Sequence, residues 1–412
     1  MAESTRADTA DAVVIGGGTV GGWCAWSLRR AGLEHVVLVE RLTLGRGASS
    51  RAAGMVRAQG GTPWTVTLGL FSRDFYLRQK EALGIDSGFV PMGYYMPAFT
   101  EEQARIGRAR VAMQQGLGLE VSWIEPDEAA ELYPAMAHGS TLGGSYAPGD
   151  GYIDPPRNVL AYTAALVRAG VDLRERTEFM GLAYSSDGSR ITGVDTSTGP
   201  IATERVVLTG GPDLASVGAR AGITIAAGGT RHQVAVTEPV DDFTPDQIGM
   251  VFDVAEGIYW RPEEGGVLFG MSNPDEAPGP AREVDWPYMT KVRERIAELL
   301  PIASTLGLRR VWAATIDYTP DHLPILGPGR APDGRAVGGV TVASAGGHGM
   351  MWGPAVARIA ADLCLSGGTD VIDVSELGLD RFDAEGRSRL DPDPIALPFP
   401  EDTTLRERTS RP

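Results

Sequence analysis

The strongest constraint on the fold lies within the first forty residues, where AVVI, GGGTVGGWCAWSLRRAG and VVLVE succeed one another. Residues 12–15 form an apolar run of strand length, Val20, Trp23, Cys24, Trp26 and Leu28 recur at helical spacing, and Gly32 stops that helix. A second β-branched run, 36–39, ends on Glu40. Gly16, Gly18 and Gly21 thus satisfy G-x-G-x-x-G inside a βαβ unit with an acid about 20 residues further on, the context of a dinucleotide cradle. Gly16 permits the tight turn, Gly18 lets a pyrophosphate approach the backbone, and Gly21 lets helix and strand pack closely. Thr19 and Val20 open the helix whose N-terminus faces the phosphates. Glu40 is expected to accept a ribose hydroxyl, and an acid there disfavours a 2′-phosphate, which makes NADP the poorest candidate. Trp23 and Trp26 read as packing residues.

At 412 residues the chain exceeds the size at which single cores stop growing, so at least two lobes are expected. With 53 acidic against 37 basic residues, a net charge of −16 opposes attraction to phosphate backbones and anionic lipid, and no nucleic-acid role is expected. The opening residues lack the basic and apolar regions of a signal peptide, and no apolar stretch reaches membrane-spanning length, so a cytoplasmic address is the expectation. Cys24 and Cys364 form neither a disulfide framework nor a Cys-x-x-Cys pair, which removes thiol-disulfide flavoenzymes. Five histidines, His232 and His322 among them, show no metal-ligand spacing; no metal is expected, and those two read as structural.

The segment directly after Glu40 separates FAD from NAD. RLTLGRGASSRAAGMVRAQGG resembles the early loop of the D-amino-acid-oxidase-like family of FAD-dependent amine oxidoreductases, which includes sarcosine oxidase, glycine oxidase and dimethylglycine dehydrogenase. DGYIDPPRNVLAYTAALVRAGVDL, RTEF at 176–179, VVLTGGPDL, WAATIDYTPDHLPILGP and ASAGGHGMMWGPAVARIAADL are similar to later elements of the same family, in the same order, with most likeness to the sarcosine oxidase β-subunit type. The resemblance implies an α/β fold: a discontinuous Rossmann-like FAD-binding domain of glutathione-reductase type (1–88, 149–223 and 317–380) plus a mixed β-sheet substrate domain (89–148 and 226–314). A Pro-rich arm, 391–412, would be extended or disordered, or mediate oligomer contacts. It also implies that residues 47–57 run along the pyrophosphate and flavin, placing Arg41, Ser49, Ser50, Arg51, Ala53 and Gly54 on the cofactor. Phe179 would lie by the adenine, Gly210 and Gly211 would close over the dinucleotide, and Gly347, His348, Gly349, Met350 and Met351 would meet the flavin ring. Aromatic hydroxylases of related fold carry Gly-Asp-Ala-Ala before the last helix, where this chain has GGHGMMWGP, so hydroxylation is disfavoured.

Amine oxidation leaves negative charge on the flavin, and a helix starting near Pro354 is expected to meet it with backbone amides rather than with the His348 ring. Arg57 stands where sarcosine oxidases place a carboxylate-binding arginine. Their second cationic anchor falls at Met351, and the arginine clamp of glycine and D-amino-acid oxidases falls near Ile316. The two known covalent attachment positions fall at Arg51 and near Ala314, so FAD is expected to be noncovalent. The oxygen-activating lysine of sarcosine oxidases falls near Leu268, which makes an acceptor other than O2 as plausible as O2. Tyr259 and Trp260 in GIYWRPEEGG either line an aromatic amine cavity or fill the sheet core. The expected substrate is a secondary or tertiary amino acid: N-methyl, N-carboxymethyl or cyclic. A larger amine or hydrazine of a biosynthetic pathway, and a flavin subunit working in a homo- or hetero-oligomer, are the alternatives.

Overall fold

The computed structural model describes residues 8–280 and 283–395. The strand Ala12–Ile15 leads into the helix Thr19–Arg30 and on to the strand Val36–Val39, and all eight strand residues are buried. Burial of every residue, rather than every second one, results from the parallel pairing of these strands inside a sheet covered on both faces. Five parallel strands lie in the order Asp172–Arg174, Val36–Val39, Ala12–Ile15, Val206–Leu208 and Ala336–Ser344, with Ile325–Arg330 antiparallel at the edge. The sheet is therefore assembled from segments more than 300 residues apart in sequence. The first helix, Pro155–Ala169 and the last helix, Gly349–Ser366, pack together on one face.

A second, eight-stranded mixed sheet runs from Leu308–Tyr318 through Gly228–Thr237, Gly266–Met271, Ile258–Glu263 and Val251–Asp253 to Tyr94–Pro97, Gly144–Ala147 and Ser122–Ile124. Its pairs are antiparallel except Val251–Asp253 with Tyr94–Pro97. Successive residues of a strand face opposite sides. Tyr94, Phe252, Tyr259, His232 and Ile316 share the face turned to the parallel sheet, whereas Trp260 faces away.

The second sheet grips the early loop directly. Arg261, 2% exposed, donates from Nε to the Ala53 carbonyl at 2.8 Å and lies 4.4 Å above the Tyr152 ring, while Trp312 Nε1 donates to the Arg51 carbonyl at 2.9 Å. The charged stretch TEEQARIGRARVAMQQG forms the helix Glu101–Gly116. Of the Pro-rich arm, residues 396–412 lie outside the described residues, and Ile395 is fully buried. No described helix is long and apolar enough to cross a membrane.

Candidate active site

A cavity of about 520 Å³ runs between the two sheets, from the first glycine turn to the start of the last helix. At the first end Gly16 has φ +109°, which a side chain would strain, and its carbonyl would stand 1.9 Å from any Cβ on Gly21. Gly21 does not line the cavity; its lack of a side chain lets the helix settle against the turn. Gly18 caps the helix with no side-chain bond, and the first turn carries no acid, so the dipole of that end is available to an anion. Thr19 is 2% exposed; its Oγ1 receives the Asn158 amide at 3.2 Å and its N–H donates to Ser49 Oγ at 3.0 Å. Gly353 of the last helix faces Thr19, where a Cβ would come within 2.8 Å of its methyl group. The last helix thus crosses directly beside the phosphate end.

Glu40 does more than wait for a ribose. Its Oε2 accepts the Gly17 N–H at 2.8 Å and its Oε1 the Leu42 N–H at 2.8 Å, so the carboxylate fixes the turn while each oxygen keeps a second lone-pair direction. Gly17 was not singled out from sequence because it occupies a free position of the fingerprint. Here it lines the cavity, with Leu44 within 2.5 Å of where a Cβ would be. Val20, Arg41, Ser49, Arg51, Ala53 and Gly54 line the cavity, as do Phe179, Gly210 and Gly211. Ser50 does not: it belongs to the short turn Ala48–Ser50, whose two neighbouring residues Ser49 and Arg51 take the inward positions.

At the other end the last helix begins at Gly349, not near Pro354, which lies inside it. Proline cannot donate to the carbonyl four residues back. That carbonyl, on Met350, instead accepts the Tyr76 hydroxyl at 3.0 Å, which lets the helix start one turn earlier than the proline suggests. Gly349, Met350 and Met351 supply first-turn amides without helical acceptors, and no acid or side-chain cap occupies that end. Gly347, His348, Gly349, Met350 and Met351 all line the cavity.

The His348 ring is more committed than its glycine neighbours suggest. Its Nδ1 lies 3.0 Å from the Gly346 carbonyl, an acceptor, which puts the proton on Nδ1 and leaves Nε2 as a lone pair. Nε2 is buried with no hydrogen-bond partner among the described residues, and the ring stacks on Trp352 at 4.1 Å. Burial, then the nearby Arg57 charge, pushes its pKa down to about 3, so the ring is neutral at physiological pH. Asp317, the first acid of the D-x-T-P-D element, lines the same end; it accepts Ser344 Oγ at 2.9 Å and the Gly347 amide, and burial raises its pKa.

Arg57 is 4% exposed, lines the cavity, and has no carboxylate within ion-pair distance among the described residues. Its segment is fixed by the fully buried Asp150, which accepts the Ala58 N–H at 2.9 Å and is paired with Arg73 at 2.8 Å. Tyr259 lines the cavity, but Trp260 does not: it is fully buried on the far face of its strand and donates to the Ile248 carbonyl at 3.2 Å. The pair therefore divides between the two roles weighed for it. His232, read from sequence as structural, also lines the cavity. Its Nε2 meets the Tyr259 hydroxyl at 2.5 Å and its Nδ1 Ser272 Oγ at 2.9 Å, while burial holds its pKa down to about 4. Strand periodicity could have paired it with Tyr259, had the strand register been known. Ile316 and Ala314 line the cavity and Leu268 does not. Among the described residues no group of His, Cys, Asp or Glu is placed to hold a metal ion.

A glycine turn, an acid at the end of the second strand and two uncapped helix N-termini, packed beside one another through Thr19 and Gly353, fit a dinucleotide with a ring system beyond its phosphates. The FAD dependent oxidoreductase family model matches residues 11–363, and the chain belongs to that family; its cofactor is FAD. Among similar proteins, the glycine oxidase of Geobacillus kaustophilus is 32% identical over 366 residues, covering 86% of this chain and 92% of the relative. The 4-methylaminobutanoate oxidase (formaldehyde-forming) of Paenarthrobacter nicotinovorans is 27% identical over 389 residues, 92% of this chain and 46% of the relative. Human mitochondrial dimethylglycine dehydrogenase is 27% identical, covering 92% and 45%. The chain thus spans about half the length of several relatives. The solved L-proline dehydrogenase from P. horikoshii superposes with a TM-score of 0.84 at 26% identity, over 93% of this chain and all of the other.

Proposed function

We propose that the chain oxidises the C–N bond of a secondary or tertiary amine bearing a carboxylate: an N-methyl, N-carboxymethyl or cyclic amino acid. The observation that carries this reading is Arg57, a buried guanidinium in the cavity wall with no carboxylate within ion-pair distance among the described residues, Asp393 and Asp150 acting on it only at longer range. A buried cation held by neutral carbonyls rather than by a carboxylate in contact is costly, and a substrate carboxylate offers the matching fork. FAD, bound noncovalently because Arg51 and Ala314 replace the known attachment residues, supplies the two-electron acceptor for a hydride from the carbon beside nitrogen. Arg57 orients the carboxylate. Neutral His232 and His348, with Tyr259, form a wall that disfavours the charged ammonium by burial, and the His348 Nε2 lone pair offers an acceptor to an uncharged N–H. As the C–H electron pair leaves, the nitrogen lone pair forms the C=N bond. Water then adds, releasing a carbonyl compound and a smaller amine, or the imine remains where it is cyclic. No side chain need remove a proton in the bond-breaking step if the amine is already uncharged.

The apolar side chains of Met351 and Ile316 leave Arg57 as the anchor, which favours substrates larger than glycine over those requiring two cationic clamps. Lys80 and Lys291 are the two lysines of the sequence, and neither lines the cavity, which supports an electron acceptor other than O2. An anaerobic screen of N-substituted amino acids, followed by admission of air, tests both points. Carboxylate-bearing secondary amines should bleach the flavin, and colour should return slowly in air. Bleaching by the matching amines without carboxylate at equal KM would overturn the reading.

A further inference from the structure

The described end of the chain packs back onto Arg57, which lines the cavity. Arg381, buried, donates from Nε to Asp321 Oδ2 at 2.7 Å and from Nη2 to Oδ1 at 3.0 Å. Ser388 Oγ donates to the same carboxylate at 2.6 Å, and the Asp393 N–H to the Asp321 carbonyl at 3.1 Å. The segment then lies on Gly61, where a Cβ would stand 2.0 Å from Asp393 Oδ1 and 2.7 Å from Pro394. Asp393 Oδ1 accepts the Ile395 N–H at 2.9 Å, and the turn so formed presents the Ile395 carbonyl to Arg57, whose Nη2 donates to it at 2.8 Å.

Arg57 Nη1 is held by the Gln59 carbonyl, and its guanidinium carbon lies 5.6 Å from the Phe252 ring centre. Two backbone carbonyls therefore fix both terminal nitrogens of a group that offers five N–H donors. A bidentate grip on a carboxylate depends on the plane of the guanidinium as well as its charge. We propose that residues 388–395 are a positioning strap of the substrate site: through the Asp393 turn, the Ile395 carbonyl orients Arg57 and so sets affinity for the substrate's carboxylate, a role that rests on the proposed function of Arg57. Asp393 is a positioning residue, since it acts through Ile395 and Arg57.

Equilibrium binding of benzoate to the full-length holoenzyme, read from the change in flavin absorbance, tests the strap. Asp393→Ala should weaken binding about fivefold, the ratio set by one ordinary hydrogen bond. Asp393→Asn, whose amide oxygen still accepts the Ile395 N–H, should restore it. In an Arg57→Met background, Asp393→Ala should change nothing further. Equal weakening by Asp393→Ala in both backgrounds, or none in the wild-type background, overturns the strap. Wild-type binding by Arg57→Met alone overturns instead the assignment of Arg57, and the strap with it. Ser388→Ala loosens the strap at its Asp321 end and gives the same comparison if Asp393→Ala fails to fold.

Discussion

The two ends of the cavity are built on opposite principles. At the phosphate end the protein acts by what it omits: Gly16, Gly17 and Gly18 keep side chains out of the cavity, and Gly21 lets a helix close on a turn. At the end proposed to hold the amine it acts by what it brings together, with Arg57, His232, Tyr259 and His348 arriving from four separate segments. A backbone site is encoded locally, because spacing alone sets which peptide groups point where. A side-chain site depends on register between distant strands, and its residues are ordinary until that register is known.

Substitutions at the first end should be near all-or-none. Gly21→Val places carbon within 1.9 Å of the Gly16 carbonyl, and the purified protein should lose nearly all flavin, read as its flavin-to-protein absorbance ratio. At the second end the flavin should stay and substrate affinity should fall. Arg57→Met should raise KM for a carboxylate-bearing amine by about a hundredfold, the scale of a lost charged bidentate contact, with little change in flavin content. Retained flavin in Gly21→Val, or its loss in Arg57→Met, would break the contrast.

Neighbours within one strand sharpen it further. Trp260→Phe removes the bond to Ile248 and leaves a void, and should lower unfolding free energy by about 1–3 kcal/mol in urea titration without altering kcat/KM. Tyr259→Phe should alter kcat/KM several-fold with a small effect on the urea midpoint. The smallest effect is in the pH dependence of stability. His232 and His348 stay neutral in the fold but take up protons in the unfolded chain below pH 6.5, so the stability they contribute is complete above that pH. It is lost as pH falls, down to about pH 4 for His232 and about pH 3 for His348. His232→Gln should flatten the upper part of that acid slope in melting temperature against pH; an unchanged slope would place its titration elsewhere.

This asymmetry explains what the sequence could yield. The βαβ unit and the acid that ends it were legible because each is a short pattern with one physical reading, whereas the FAD class was legible only through the resemblance of several ordered segments to one family. Trp260 was not separable from Tyr259, since adjacent residues on an unplaced strand are equivalent until one face meets a cavity. The start of the last helix was displaced by Pro354, whose local effect is cancelled by Tyr76, 274 positions away from the Met350 carbonyl it bonds. His232 gave no signal because its partners, Tyr259 and Ser272, lie elsewhere in the chain.

The bonds from Arg261 to Ala53 and from Trp312 to Arg51 bear on how such an enzyme can be recombined. A chimera that exchanged the roof while keeping the nucleotide-binding half would inherit the early loop without the two side chains that clamp it. Grafting a foreign roof with arginine and tryptophan preserved at these two positions should keep the loop in register, whereas an otherwise better-matched donor lacking them should yield a colourless protein. Substrate range in this architecture is thus exchangeable only together with part of the machinery that retains the cofactor.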